Sequence, residues 1–212
     1  MRLPKVRARL ARLMSEILIL YYSRHGSTAQ LARRIASGVE EIEGAQACIR
    51  TVPEVSALVG DVRAPEVPLD GPPFVQAEDL QRCRGLILGS PTRFGNMAAA
   101  LKYFWDSTSA QWLSGSLAGK PGAVFTSSSS PHGGQESTLF SMMLPLMHHG
   151  MLIVGVPYTE SAVTRTQGGG GPYGAGHLTR EQQDAGLSAD EKLIARALGR
   201  RVAHIAARLD RS

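Results

Sequence analysis

The sequence predicts a doubly wound α/β domain, a parallel sheet covered by helices on both faces. Two observations carry that expectation. Four short runs, Ile17–Tyr22, Gly85–Ser90, Gly122–Ser127 and Met151–Val156, are mostly apolar without polar alternation, and a strand of that kind is covered on both faces. Helical patterns separate the runs, which implies βαβ units with right-handed crossovers. A chain of 212 residues suits one domain, and 43% hydrophobic residues supply a substantial core.

In chain order, the first strand is followed by a helix whose apolar face is Leu31, Ile35, Val39 and Ile42, recurring at spacings of four, four and three. Ser27 and Gln30 stand at capping-box spacing at its start. The weaker run Ala45–Val52 alternates more and belongs at a sheet edge, although it is second in the chain. Pro53–Pro73 contains five prolines and reads as a loop before a short helix near Glu78–Arg82. Beyond the fifth run, Pro157–Gly186 holds seven glycines and little apolar periodicity. A loop that long in a compact domain is usually functional or interfacial. The last helix opens with Ser188 and Glu191, again at capping-box spacing, and continues its apolar face through Ile194, Leu198, Val202, Ile205 and Leu209. No internal repeat interrupts this plan.

The formal charge of +5 invites a nucleic-acid reading, but its distribution argues against one. Residues 1–13 carry Arg2, Lys5, Arg7, Arg9 and Arg12 and no acid, while the rest of the chain balances its 18 acidic residues with as many basic ones. The basic segment has three readings: an amphipathic helix for an anionic surface, a targeting peptide, or an extension preceding a natural start at Met14. It lacks the apolar centre of a targeting peptide. A poorly ordered, dispensable extension is the favoured reading, with one domain over residues 14–212. No apolar run approaches the roughly 18 residues that span a bilayer, so no stable membrane insertion is expected. Cys48 and Cys83 form no CxxC pattern and read as small buried hydrophobes, which fits a cytoplasmic location. His177 and His204 show no ligand spacing with other His or Cys residues, and no metal site is expected.

In a doubly wound sheet, ligands bind beyond the carboxyl ends of the strands, where the strand order switches. Three loops occupy such places. Ser23, Arg24, His25, Gly26, Ser27 and Thr28 run from the first strand into a helix; three hydroxyls, a glycine and free helix N–H groups suit a phosphate monoester. The loop lacks both a Walker A ending and a GxGxxG pattern, and the same residues also suit an ordinary serine-capped turn. Pro91, Thr92, Arg93, Phe94, Gly95 and Asn96 follow the third strand. Their irregular backbone can present amides to a planar ligand, and Arg93 can meet a ring oxygen or negative charge; an exposed loop arginine is the alternative. Ser127, Ser128, Ser129, Ser130, Pro131, His132 and Gly133 follow the fourth strand, a flexible polar stretch suited to close packing along a ring edge, or else a linker. Together the three loops fit a phosphate-bearing planar cofactor of mononucleotide size.

These residues also carry a resemblance. The stretches ILILYYSRHGST, GSPTRFGNM, AVFTSSSSPHGGQEST, LMHHGMLIVGVPY and GGGGPYGA resemble the WrbA family of flavodoxin-like NAD(P)H:quinone oxidoreductases over about residues 14–209. PTRFGNM, HGGQE and HHGM in this order are the specific signature. The resemblance implies a flavodoxin-like five-stranded sheet ordered 2-1-3-4-5. It implies FMN, with its phosphate on Ser23 to Thr28, its isoalloxazine lined by Thr92, Arg93 and Phe94 with Gly95 and Asn96 beside them, and its polar edge wrapped by Ser127 to Gly133. It places His148 against the flavin of a neighbouring subunit, Trp112 on the wall of the substrate cavity, and His25 at the nicotinamide coenzyme. Many relatives carry Tyr at the His25 position. A homotetramer of D2 symmetry with shared sites is expected.

The activity so implied is two-electron reduction of quinones to hydroquinones with NADH or NADPH, ping-pong through a shared site over the flavin. The cofactor performs the redox chemistry, so no catalytic residue is assigned; His148 and Arg93 are candidates for charge stabilisation. Two rivals come from other classes. A flavodoxin-type one-electron carrier would commonly surround its flavin with acids, yet Gly85–Met97 and Gly122–Gln135 contain none. A non-enzymatic flavin-binding regulatory module has no motif of its own here.

Overall fold

A computed structural model describes residues 14–56, 68, 70–179 and 186–210. The expectations for residues 1–13 lie outside the described residues. The sheet is parallel, with β1 (Ser15–Tyr21), β2 (Ala45–Thr51), β3 (Gly85–Pro91), β4 (Pro121–Ser128) and β5 (Leu152–Ile153) in the order β2-β1-β3-β4-β5. The helices are α1 (Ser27–Val39), α2 (Ala77–Arg82), α3 (Ala99–Asp106), α4 (Ser109–Leu113), α5 (Gln135–His148), α6 (Ala162–Arg165) and α7 (Ala189–Leu209). No helix among the described residues is long and apolar enough to cross a membrane.

The uninterrupted apolar runs do what their composition demands. Successive side chains of a strand point to opposite faces, so Ile17, Ile19 and Tyr21 of β1 join α1 and α7 on one side, while Leu18 and Leu20 join α2, α3 and α5 on the other. The edge position expected for the second strand is the one observed. Where α1 crosses α7, Gly38 abuts the Arg196 carbonyl and Gly199 abuts that of Ile35; with no side chain at either point, the two backbones come into contact.

Two local expectations need correction. The fifth strand is divided. Only Leu152–Ile153 pairs with the start of β4, opposite Pro121 and Gly122. A sixth strand, β6 (Ala175–Leu178), then pairs in parallel with the end of β4, Phe125 to Ser128. The stretch Pro157–Gly186 is therefore not a structureless loop: among its described residues are α6 and β6. Leu152 is exposed on this short edge segment, while Met151, Val154 and Val156 around it are buried. The second correction concerns α1. Ser27 and Gln30 do not cap it; Gly26 is the N-cap, in the left-handed region at φ 85°, and the side chain that takes a first-turn amide is Ser23, whose Oγ accepts from Ala29 at 3.3 Å. The Ser27 hydroxyl faces Thr179 Oγ1 instead, at 3.1 Å.

The capping box expected at the last helix is present and does more than cap. Ser188 Oγ accepts from the Glu191 amide, and the Glu191 carboxylate accepts from the Ser188 amide at 2.7 Å. That carboxylate, buried at 2% exposure, also receives the amides of Gly169 and Leu178, each at 2.9 Å, and lies 3.1 Å from His177 Nδ1. Burial by itself would raise its pKa, but the hydrogen bonds from His177, Leu178, Ser188 and Gly169 outweigh it and hold the group at about 2, below its ordinary 4.5. Glu191 thus pins both arms of the glycine-rich insertion to α7.

Replacing Glu191 by Gln should therefore destabilise the fold by roughly 2–4 kcal/mol, because buried donors lose a charged acceptor. The folded-state pKa is depressed, so the stabilisation is complete above the ordinary carboxyl range and drains away as pH falls from about 4.5 toward about 2. Urea unfolding followed from about pH 7 down to about pH 3 should show a shallower acid slope for Glu191→Gln than for the parent chain; parallel slopes would remove the carboxylate from this role.

Candidate functional site

The sheet order puts β1 next to β3, yet the chain leaves β1 toward the α1 face and leaves β3 toward the opposite face. The two connections diverge, and a cavity opens beyond the carboxyl ends of the strands, as the topology requires. Its volume is about 400 Å³, within the range of small-molecule sites. All three sequence-predicted loops reach it: Ser23, Arg24, His25, Ser27 and Thr28 from the first, Pro91, Thr92 and Arg93 from the second, and Ser127, Ser128 and Ser129 from the third.

Its chemistry is that of an anion site. Two arginines and several hydroxyls line the cavity, and among the described residues no carboxylate does. Neither Arg24 nor Arg93 forms an ion pair among the described residues. The Arg93 guanidinium donates to the Thr92 carbonyl at 2.8 Å, which orients it without neutralising it. The start of α1 is only partly capped: Ser23 Oγ accepts from the Ala29 amide at 3.3 Å. With a left-handed glycine at its N-cap, the positive end of the helix dipole still faces a negative ligand.

Hydrogen bonds hold the loops in place before any ligand arrives. Thr28 Oγ1 lies 3.0 Å from Ser127 Oγ, tying the first loop to the third. Thr138 Oγ1 donates to Thr92 Oγ1 at 2.7 Å, and the Thr92 hydroxyl donates toward the Gly133 carbonyl at 3.3 Å. Buried Gln135 donates to Ser128 Oγ at 2.7 Å, while Ser128 donates to the Ser130 carbonyl. In the second loop, the amide of Arg93 donates to the Asn96 carbonyl and that of Asn96 to the Arg93 carbonyl, closing a tight turn. Both central residues have positive φ, 53° for Phe94 and 75° for Gly95. Such a conformation costs a bulky residue energy and clusters at ligand sites; the Phe94 side chain stands fully in solvent.

The structure does not gather every expected residue. Ser130, Pro131 and His132 form an exposed stretch beside the cavity. His148 and Trp112 lie at the amino end of the strands, opposite the cavity. Helix α5 starts beyond the carboxyl end of β4 and returns to the amino end, where Gly119 donates to the Gly150 carbonyl; its 14 residues span about 20 Å. There Trp112, more than half exposed, donates from Nε1 to the His148 carbonyl at 2.9 Å. His148 is exposed and His149 is buried. Burial, then the neighbouring His148, lowers the His149 pKa from its ordinary 6.5.

One lining residue escaped the sequence reading. Thr179 enters the cavity from the end of β6. Its signal was the four-residue run Ala175–Leu178, too short to stand out from the glycine-rich stretch around it.

The remaining reactive groups sit elsewhere. Burial raises the thiols of Cys48 to about 11 and Cys83 to about 12, so neither is a thiolate at neutral pH. Glu16, Cys48 and Asp79 approach one another within 4.8 Å. Asp79, however, is already committed to Arg50 at 3.0 Å, Arg82 at 2.8 Å and the Gln76 amide.

Comparison with known proteins agrees with this architecture. The family model described as NADPH-dependent FMN reductase matches residues 16–162. A protein of Gluconacetobacter diazotrophicus named NAD(P)H dehydrogenase (quinone) is 43% identical, over 92% of this chain and 99% of its own length. One of the same name from Geobacter sulfurreducens is 41% identical, over 92% and 98%. Among solved structures, a flavodoxin described as WrbA-like, from Agrobacterium tumefaciens, superposes with a TM-score of 0.62 at 22% identity, covering 92% of this chain and 98% of its own. That last likeness bears on the fold alone.

Proposed function

Because the chain belongs to the NADPH-dependent FMN reductase family, we propose that it is an FMN-dependent NAD(P)H:quinone oxidoreductase of the WrbA type. The observation that carries this reading is the cavity itself, a site at the switch in strand order lined by two arginines and several hydroxyls, with no carboxylate among the described residues, and walled by three pre-braced loops. FMN, when bound there, supplies a two-electron relay between nicotinamide coenzyme and quinone.

The chain's own residues fit that cofactor. Ser23 to Thr28 and the start of α1 suit its phosphate, offering hydroxyls and N–H donors. Thr92 to Asn96 and Ser127 to Gly133 suit the ring and its polar edge. Arg93 and Arg24 bring positive charge to the cavity, and among the described residues no acid lines it to offset that charge. That arrangement favours negative charge on the ligand and so a two-electron enzyme over a one-electron carrier. His25 lies in the same lining and is available to the coenzyme. Coenzyme and quinone would use one exposed face in turn, which is the origin of ping-pong kinetics.

The visible spectrum of purified protein, with and without added FMN and then with NADH or NADPH, tests this directly. Flavin absorbance at one equivalent, tighter binding of FMN than of FAD, bleaching by the coenzyme and recovery on adding a quinone are expected. Failure to bleach would leave a carrier or a regulatory module.

Arg93→Ala should lower quinone reductase turnover by at least about 10-fold with little change in thermal stability, because its guanidinium is braced by a backbone carbonyl and serves the ligand. Loss of stability without a selective loss of turnover would make Arg93 structural.

We also infer a homotetramer with shared sites. His148 and Trp112 cannot reach the cavity of their own chain, and Phe140, Leu144 and Met147 make an exposed stripe along α5 at 47%, 56% and 50% exposure. The Phe140 ring packs 4.9 Å from that of Tyr173 in the insertion. A stripe of this kind suits burial against another copy. Light scattering coupled to size exclusion over a dilution series should show a tetramer that FMN favours. A monomer retaining FMN and full turnover would refute the shared site.

A further inference from the structure

The geometry points to Thr179 as an additional ligand of the cofactor's terminal phosphate, closing the anion site from the β6 side opposite Ser27. The inference rests on the FMN reading above and assigns a role to a residue outside the three ligand loops.

Thr179 is the first residue after β6, and its position is fixed from two directions. Its amide donates to the Ser128 carbonyl at 2.8 Å, carrying the β4–β6 ladder one step past the strand. The preceding amide, of Leu178, is held by the Glu191 carboxylate. The backbone is thus anchored without help from the Thr179 side chain, which lines the cavity half-buried. Thr179 Oγ1 lies 3.1 Å from Ser27 Oγ, and Ser27 is the first residue of α1.

A hydroxyl carries one proton and two lone pairs. A bond between two hydroxyls uses one proton and leaves the other free to donate. A phosphate dianion accepts only, so both hydroxyls can turn their protons onto its oxygens, which is a stronger arrangement than the neutral pair it replaces. The pair is thereby a two-proton cradle, one half supplied by the helix start and the other by the insertion that Glu191 anchors. A merely structural Thr179 would instead serve as a pin between α1 and β6, and its loss would affect every flavin equally.

The test titrates FMN and riboflavin into flavin-free protein by fluorescence quenching, for the parent chain and for Thr179→Val and Thr179→Ser. Thr179→Val, close in shape but without the hydroxyl, should weaken FMN about 10-fold, the scale of one lost hydrogen bond to a charged group. Riboflavin, lacking the phosphate, should bind as before, and Thr179→Ser should restore FMN. Melting of the flavin-free proteins checks that the fold persists. If Thr179→Val does not fold, Thr179→Ala against Thr179→Ser makes the same comparison. Unchanged FMN affinity in the hydroxyl-free variant, or equal weakening of FMN and riboflavin, overturns the role of Thr179 while the FMN reading stands. A parent chain that does not prefer FMN to riboflavin overturns the phosphate cradle as a whole, and one that binds neither overturns the FMN reading with it.

Discussion

One buried carboxylate determines whether the two halves of the ligand site meet. Glu191 stands in the first turn of α7 and takes hydrogen bonds from Ser188 on its own helix, from Gly169 and Leu178 in the insertion, and from His177. The insertion has little apolar surface and many glycines, so burial alone gives it no unique position. A fixed acceptor that satisfies several donors supplies what burial does not. Once Leu178 is held there, β6 takes its register on β4, and Thr179 comes to rest beside Ser27. Without that latch the cavity would have three walls rather than four.

The cavity is where local rules of stability are broken, and the two hydrophobic layers on either side of the sheet offset the cost. Helix α1 has no cap from its N-cap glycine and only a long bond from the Ala29 amide to Ser23 Oγ at 3.3 Å, where a well-formed side-chain cap is worth about 1 kcal/mol. Phe94 occupies a left-handed turn position that glycine or asparagine would fill more easily. Arg24 and Arg93 stand without carboxylate partners among the described residues. By contrast α2 and α7 carry complete capping boxes. The arginines share one direction: they bring positive charge to a place where a ligand can complete it.

Much of this was legible in the sequence, for reasons that also explain the failures. β1, β3 and β4 announce themselves because both of their faces are covered, which removes polar residues from the run. The three ligand loops follow from them, because a doubly wound sheet places its site just past such strands. β6 was invisible: the four residues Ala175–Leu178 carry no periodicity, and their pairing depends on Glu191, which is distant in sequence. Thr179 was lost with them. The cap of α1 was misread because Ser27 and Gln30 have suitable spacing, whereas the backbone turns one residue earlier, at Gly26, which freed the Ser27 hydroxyl for the cavity. Spacing alone cannot distinguish a serine that satisfies its helix from one held for a ligand.

The amino end of the strands shows the same economy in another form. Thr108 Oγ1 donates its single proton to the Trp105 carbonyl at 2.8 Å, so its bond with His149 at 3.0 Å runs the other way, with Nε2 of the imidazole as donor. Burial lowers the pKa of His149 and favours the neutral ring, which fixes the tautomer: a proton on Nε2 and none on Nδ1. His149 thereby fastens the end of α5 to the start of α4, and Trp112 closes the loop by donating to the His148 carbonyl. The result is a braced patch that presents His148 and Trp112 outward from the end opposite the cavity. A fold that needed only to end a helix and begin a strand would not require two reciprocal ties to hold an exposed histidine and an exposed tryptophan side by side. The bracing has a use if the patch meets another surface in a fixed orientation, and the apolar stripe of Phe140, Leu144 and Met147 extends along the helix that ends there.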